Sequence, residues 1–351
     1  MYNGNIELPK LRSSSQRYVM YLMESPLHDA NFPYEKFKNF FNWTMTYRRD
    51  SDFYSPYGWI SPKTWDWHYP SRDPIPWDMY MRNPPKAEIS SDFSLKAVHD
   101  QIGQKSKKKV TAAWLVSNCF VYGYVNSERE KYVDELRKHL EVDIYGYCGF
   151  RKCPKNVKCY EHIADNYMFY LSFENSLCTD YVTEKFFTPL THNIVPVVLG
   201  GANYSQYAPP NSYINARDFS SPKALADYLK YLQSNTSAYI EYFEWKKYFE
   251  VFETFHRNLS LYQDRAMCQL CEALNEETQV TKIHGDINHW WRKEGDCKIQ
   301  GTFPWSHFQS KRMFNLRSIV YVLYSLLFSF AVFHCYLKTP QKFQISTYKY
   351  L

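Results

Sequence analysis

The chain has 351 residues, 45% of them hydrophobic and 19% aromatic, which is enough apolar surface for the cores of two domains and too much for a disordered, solvated tail. Its net charge of +6 comes partly from the run KSKKK at residues 105–109, which has no interleaved aromatic residue and reads as a solvated linker. No nucleic-acid partner is expected.

The nine cysteines include Cys148, Cys153 and Cys159 in one loop-like stretch and the pair Cys268 and Cys271 further on. These groups lack the CxxC…CxxC spacing of a zinc ribbon and no histidine completes one, so disulfides are favoured over zinc. Glycosylation sequons at Asn42, Asn203, Asn235 and Asn258 point the same way, toward a secretory-pathway lumen. Residues 1–10 have no apolar signal-peptide core. Residues 318–337, by contrast, are twenty in a row without Asp, Glu, Lys or Arg, flanked by Arg317 and Lys338. That is long enough for a transmembrane helix, and the bases on both sides leave its orientation open.

In chain order, residues 1–17 form a polar arm. Residues 18–23 (YVMYLM) are a strand that stops at Glu24, Ser25 and Pro26. A carboxylate at the end of a buried strand can serve as a general base tuned by desolvation, although a solvated strand-end acid fits the same pattern. Residues 37–46 alternate imperfectly and run into YRRDSD. There Asp50 and Asp52 form a DxD pattern, but Arg48 and Arg49 adjoin it, so ion-paired acids in a turn explain it and no metal is assigned. Residues 54–85, dense in Pro and Trp, read as irregular surface, either a sugar-accepting cleft or a loop packed on itself. Residues 87–109 hold a short helix and end in the basic run. This divides the chain into a first domain, 18–105, and a second, 106–275.

The second domain reads as repeated βαβ units. Residues 111–116 are a strand, and Ser127 caps a helix with Tyr132, Val133, Leu136 and Leu140 at helical spacing. Residues 142–145 are the next strand. The apolar run 169–173 is a buried strand ending at Glu174 and Asn175. Thr183 then caps a helix with Glu184 and Lys185 in its first turn, Pro189 limits that helix, and 194–199 form another strand broken by Gly200 and Gly201. Ligands of such units gather beyond the carboxyl ends of the strands. Arg129 and Lys185 hold equivalent places at two helix starts and would converge on one anion; a surface arginine in an i,i+4 pattern is the alternative for Arg129. With Glu184 able to accept from sugar hydroxyls, a nucleotide sugar is the natural ligand, the alternative being a turn that binds nothing, as most such turns do. Beyond it come a loop at 204–210, a short strand at 213–214, and a helix opened by Ser221 and Pro222 through Leu225, Leu229 and Leu232. An aromatic-rich helix is expected over 237–252, and an irregular region over 276–317.

Five segments carry a resemblance: ESPLH at 24–28, FFNWTMTYRRDSDFYSPYG at 40–58, FYLSFENSLCTDYVTEKFFTPLTHNIVPVVLGG at 169–201, SPKALADYLKYL at 221–232 and EYFEWKK at 241–247. Together, in this order and across residues 18–271, they resemble the α1,3-fucosyltransferases. The resemblance implies an α/β, GT-B-like fold of two facing Rossmann-like domains, the second holding the donor GDP-fucose. It implies Glu24 as catalytic base, Arg129 and Lys185 as diphosphate ligands, Glu184 as ribose ligand, and Glu174, Asn175 and Tyr181 as lining of the donor pocket. Transfer to the 3-hydroxyl of GlcNAc in glycoprotein glycans would invert the anomeric centre, with no obligatory metal and with Mn²⁺ as a possible stimulant. A Golgi membrane protein with a lumenal catalytic domain is the implied setting. The sequence departs from the family at both ends. Only 23 residues precede Glu24, so the first domain reads as N-terminally incomplete, and a C-terminal membrane segment is atypical. A catalytically inactive glycan- or nucleotide-sugar-binding member is therefore the alternative.

Overall fold

Apolar runs that end at charged residues become parallel strands in both units of the protein. The computed structural model describes residues 8–9, 11–13, 15–29, 32–64, 71–82, 95–119, 128–254, 265–276 and 282–298. These divide into one unit up to Pro56 and from Thr254 to Cys297, and a second from Tyr57 to Glu253 with Lys298.

In the first unit, β1 (Val19–Leu22) pairs in parallel with β2 (Trp43–Thr46), Val19 opposite Trp43, and β2 pairs in parallel with β3 (Phe53–Tyr54). Glu24 follows β1 at its carboxyl end, as expected from the apolar run.

The second unit opens with β4 (Gly58–Pro62), α1 (Trp77–Arg82) and α2 (Leu95–Lys105). It continues through β5 (Ala112–Leu115), α3 (Arg129–Leu136), β6 (Val142–Tyr145), α4 (Cys159–Asn166), β7 (Phe169–Phe173), α5 (Glu184–Leu190), β8 (Val195–Leu199) and β9 (Ile214–Asn215). Then come α6 (Pro222–Ser234), α7 (Thr236–Ile240) and β10 (Phe249–Glu253). The five parallel strands lie in the order β6-β5-β7-β8-β9, which is Rossmann-like. Alternation along the strands buries both faces. Phe169, Leu171 and Phe173 of β7 and Val195, Val197 and Leu199 of β8 pack with Tyr132, Val133 and Leu136 of α3 and with Leu225, Leu229 and Leu232 of α6. On the other face Ala113 and Tyr170 meet Ile163 and Ala164 of α4.

Several sequence readings are corrected here. The chain enters and leaves the second unit at Tyr57 and Glu253, not at the basic run, because β4 and β10 pair antiparallel with Gly58 opposite Glu253. α2 belongs to the core of this unit through Val98 and Ile102, and Lys105 is buried with its ammonium donating to the carbonyls of Ala164 and Asn193. Residues 54–85 are not wholly irregular, since they include β4 and α1. The expected helix over 237–252 is instead α7, a 3₁₀ turn at Glu241–Lys247 and β10. Its last part extends because Phe252 stacks on Trp59 of β4 at 5.4 Å, a partner that local periodicity cannot reveal. The helix expected from Ser127 starts at Arg129, after Glu128 in a left-handed conformation, and Ser127 itself lies outside the described residues.

Returning to the first unit, α8 (Arg265–Asn275) packs Ala266, Met267 and Leu270 on Trp43, Met45 and Phe53, and a π-helical turn at His289–Lys293 follows within the stretch read as irregular. Disulfides join Cys119 to Cys148 and Cys153 to Cys159, and Cys178, Cys271 and Cys297 are also disulfide-bonded, in line with the preference for disulfides over zinc. The candidate membrane segment at 318–337 lies outside the described residues, among which no helix is long and apolar enough to cross a membrane.

Leu229 is fully buried between α6 and the sheet. Leu229→Ala is expected to cost about 2–5 kcal/mol, read as a lower urea midpoint; an unchanged midpoint would refute this packing.

Candidate functional site

The second unit offers a binding edge where its strand order reverses. β5 has β6 on one side and β7 on the other, so the chain leaves β5 in one direction and returns on the opposite side, opening a crevice at the carboxyl ends. Arg129, the first residue of α3, spans that crevice. Its Nη1 donates to the carbonyl of Phe173 at the end of β7 (3.0 Å), and its Nη2 to the carbonyl of Asn118 beyond β5 (2.7 Å). Its Nε donates to Glu130 at 3.2 Å, and the guanidinium lies over Trp114. With five N–H donors on a guanidinium, these three bonds leave two without a partner among the described residues.

The FEN…TEK stretch builds the neighbouring part. Glu174, fully buried, accepts from the amide of Thr183 (2.8 Å) and from its hydroxyl (3.0 Å). That hydroxyl in turn caps α5, accepting from the amide of Lys185. The Lys185 ammonium donates to Thr183 Oγ1 (3.0 Å) and Glu184 Oε1 (2.9 Å), and lies 3.7 Å from Glu174 Oε2.

The charges follow from these distances. Burial raises the pKa of Glu174, against the opposing pull of Lys185. Burial would lower that of Lys185, but the carboxylates of Glu184 and Glu174 outweigh it and raise the ammonium above its ordinary value, with Arg129 opposing. Burial also acts on Glu184, where Lys185 wins and lowers the carboxyl. Lys185 is thus held protonated and Glu184 ionised. Arg129 reaches the same stretch through the Phe173 carbonyl, one residue before Glu174, which lies 3.7 Å from the Lys185 ammonium.

Two further expected residues lie in the same loop. Asn175 has a buried Oδ1 with no hydrogen-bond partner among the described residues, and Tyr181 is buried edge-on to Tyr57 at 6.3 Å. Gly201 has no room for a side chain, since a Cβ would lie 2.4 Å from the backbone of Leu177. Three residues at this edge were not singled out from sequence. The hydroxyl of Tyr170 on β7 donates to that of Tyr160 in the first turn of α4 (3.3 Å), and Arg217 beyond β9 donates to the carbonyl of Gly200 (3.3 Å). A helix start just ahead of β7 was the available signal for Tyr160.

In the first unit Glu24 is half-buried on a turn whose Ser25 is fully buried. The turn is held further along by Asp29, which accepts from the indole of Trp291 (2.9 Å) and from the hydroxyl of Tyr34, while Arg292 donates to the Asp29 carbonyl at 3.0 Å. Burial pushes the Asp29 carboxyl up to about 6 despite these donors.

The DxD acids are occupied, as the ion-pair reading expected. Arg48 donates to both oxygens of Asp50, at 2.9 and 2.5 Å, and Trp290 to one of them at 2.8 Å. Asp52 accepts from the Thr44 amide (2.8 Å), His284 (2.8 Å) and Lys282. Burial opposes its ionisation, but His284 and Lys282 hold it well below the usual carboxylate range.

The sequon asparagines differ. Asn42 is only 2% exposed, with Oδ1 accepting from the Tyr18 amide (2.9 Å) and Nδ2 donating to the Lys282 carbonyl (3.0 Å). A glycan would displace that bond within a packed site, so Asn42 is corrected as an acceptor in the folded chain. Asn203 is exposed, and Asn235 is half-buried and caps α7. Asn258 lies outside the described residues.

The chain matches the profile of glycosyltransferase family 10 (fucosyltransferase), C-terminal part, over residues 105–290, and that of the fucosyltransferase N-terminal part over residues 2–58. It is 38% identical to alpha-(1,3)-fucosyltransferase C of Drosophila melanogaster over 296 residues, covering 84% of this chain and 63% of that protein. It is 36% identical to glycoprotein 3-alpha-L-fucosyltransferase A of the same organism, covering 86% and 52%. It is also 36% identical to the human 4-galactosyl-N-acetylglucosaminide 3-alpha-L-fucosyltransferase FUT6, covering 80% and 66%. The chain thus spans between about half and two thirds of the length of these relatives.

The raised pKa of Asp29 carries a stability consequence. Because the folded value lies above the unfolded one, the contribution is fully present below 3.8 and is lost as pH rises through about 6. Asp29→Asn stays neutral throughout and keeps an acceptor for Trp291. Relative to this variant, the wild type should lose up to about 3 kcal/mol between acid and neutral pH, measured by denaturant unfolding; a difference independent of pH would count against the shift.

Proposed function

The chain belongs to glycosyltransferase family 10, the fucosyltransferases, and on that premise we propose that it transfers L-fucose from GDP-β-L-fucose to the 3-hydroxyl of GlcNAc in glycoprotein glycans. The observation that carries this reading is the charge arrangement at the carboxyl edge of the second unit: a protonated Lys185 between Glu184 and Glu174, with Arg129 acting on it across the crevice. A site with two fixed cations and an ionised carboxylate suits a nucleoside diphosphate sugar, the cations facing the diphosphate and Glu184 accepting from ribose hydroxyls. Asn175 and Tyr181 complete the donor side. The names of the relatives, fucosyltransferases that form a 3-linkage, support the same donor and linkage.

Glu24 is the proposed base. It takes the proton of the GlcNAc 3-hydroxyl as that oxygen bonds to C1 of fucose; the C1–O bond to GDP breaks, and GDP leaves with the electron pair. Displacement from the opposite face converts the β-linked donor into an α1,3 product. The developing charge on GDP is met by Lys185 and Arg129, groups that need no reorganisation at the moment of bond cleavage. In this reading Mn²⁺ is a stimulant and not a requirement. The disulfides, with the sequons at Asn203 and Asn235, support a lumenal setting, which we assign to the Golgi membrane.

Incubation with labelled GDP-fucose and GlcNAc-terminated glycopeptides is expected to release GDP and form an α1,3-fucosylated product. Donor binding without GDP release would instead identify a binding protein. Glu24→Gln should lower kcat by about 10²–10⁴ while GDP binding, followed by calorimetry, is retained; full turnover by the variant sinks the base assignment. Lys185→Ala should weaken GDP-fucose binding by about 10- to 100-fold, and unchanged donor affinity would remove it from the diphosphate site.

A further inference from the structure

The helices that follow β5, β6 and β7 all start at the carboxyl edge of the sheet. Arg129 opens α3, and Glu184 and Lys185 open α5; the corresponding turn of α4, between them in sequence, carries Tyr160. The disulfide between Cys153 and Cys159 closes the loop that leads into this turn, and α4 packs against α5.

Tyr160 is half-buried, and its hydroxyl oxygen accepts from Tyr170 at 3.3 Å. Its own O–H proton has no acceptor among the described residues. Burial, Tyr170 and the carboxylates of Glu184 and Glu174 all raise its pKa well above that of an ordinary phenol. With α4 packed against α5, which Glu184 opens, the phenol feels that carboxylate, stays protonated, and has a hydrogen bond left to give.

This matters for a vicinal diol. Glu184, ionised by Lys185, can only accept, so it satisfies the O–H groups of a ribose and none of its lone pairs. A neutral donor beside it supplies the missing half. We propose that Tyr160 is a ribose-specificity residue, its hydroxyl donating to one oxygen of the ribose diol whose hydroxyl proton is taken by Glu184. The inference rests on the donor-site reading above and adds a residue that the FEN…TEK stretch does not contain. Tyr170 orients the group by donating to it, leaving the Tyr160 proton directed elsewhere than β7.

Calorimetric titration of the full chain with GDP, 2′-deoxy-GDP and 3′-deoxy-GDP, together with inhibition by inorganic diphosphate, tests the proposal. Tyr160→Phe keeps the ring and removes the hydroxyl, both as a donor and as the acceptor of Tyr170. It should weaken GDP by about five- to tenfold and abolish most of the wild type's discrimination against one of the two deoxy analogues. Inhibition by inorganic diphosphate should stay within about twofold, because it does not depend on a ribose contact, while Tm falls modestly through the lost acceptor of Tyr170. GDP affinity equal to wild type overturns the proposal. So does an equal loss for all ligands including inorganic diphosphate, which marks a merely structural residue. A wild-type chain that binds no GDP overturns the donor reading itself and this inference with it, whereas a wild type that binds GDP as tightly as Tyr160→Phe overturns the inference alone.

Discussion

A lysine held protonated inside a parallel sheet's carboxyl edge is the constraint on which the donor unit depends. Lys185 is largely buried, and an unpaired ammonium there would shed its proton or unfold the edge. Two carboxylates prevent this, Glu184 at 2.9 Å and Glu174 at 3.7 Å, with Thr183 supplying a third contact and capping α5 at the same time. Glu174 is itself too buried to stand without the two donors that Thr183 provides. Cap, acid and base are therefore one hydrogen-bonded object, and removing any member leaves the others with uncompensated charge.

Arg129 ties this object to the fold. By donating to carbonyls beyond β5 and at the end of β7, it links the two strands between which the sheet order reverses. The same guanidinium binds backbone carbonyls on either side of the reversal and places positive charge at the crevice. Structural and ligand-binding explanations of this arginine are not alternatives: two of its donors hold the crevice, a third binds Glu130, and two remain without a partner among the described residues. The first unit shows a related economy, since the acids of its DxD pattern are bound to Arg48, His284 and Lys282 and serve to pin the turns after β2.

Much of this was readable in the residues. Strands β5 to β8, the Thr183 and Ser221 caps, and the place of Glu24 after β1 follow from apolar runs ended by charged or turn residues, which are local signals. The shared topological position of Arg129 and Lys185 follows from counting βαβ units. The errors lie where a distant partner decides. Residues 249–253 have helix-compatible composition and extend only because β4 lies alongside. Lys105 looks like linker in a basic run and is buried, because its ammonium binds the carbonyls of Ala164 in α4 and of Asn193 in the turn before β8. Asn42 fits a sequon and is used instead to bridge Tyr18 and Lys282.

The sequence by itself determined the α/β class, the family and the identity of the groups that can carry charge at the donor edge, because each depends on residue type and near neighbours. Only the tertiary structure decided which charges are real. Ionisation of Glu184 and retention of the Lys185 proton depend on burial and on Glu174, which the end of another element brings 3.7 Å from the ammonium. Desolvation and Coulomb interaction vary steeply over that range, and no spacing along the chain encodes them.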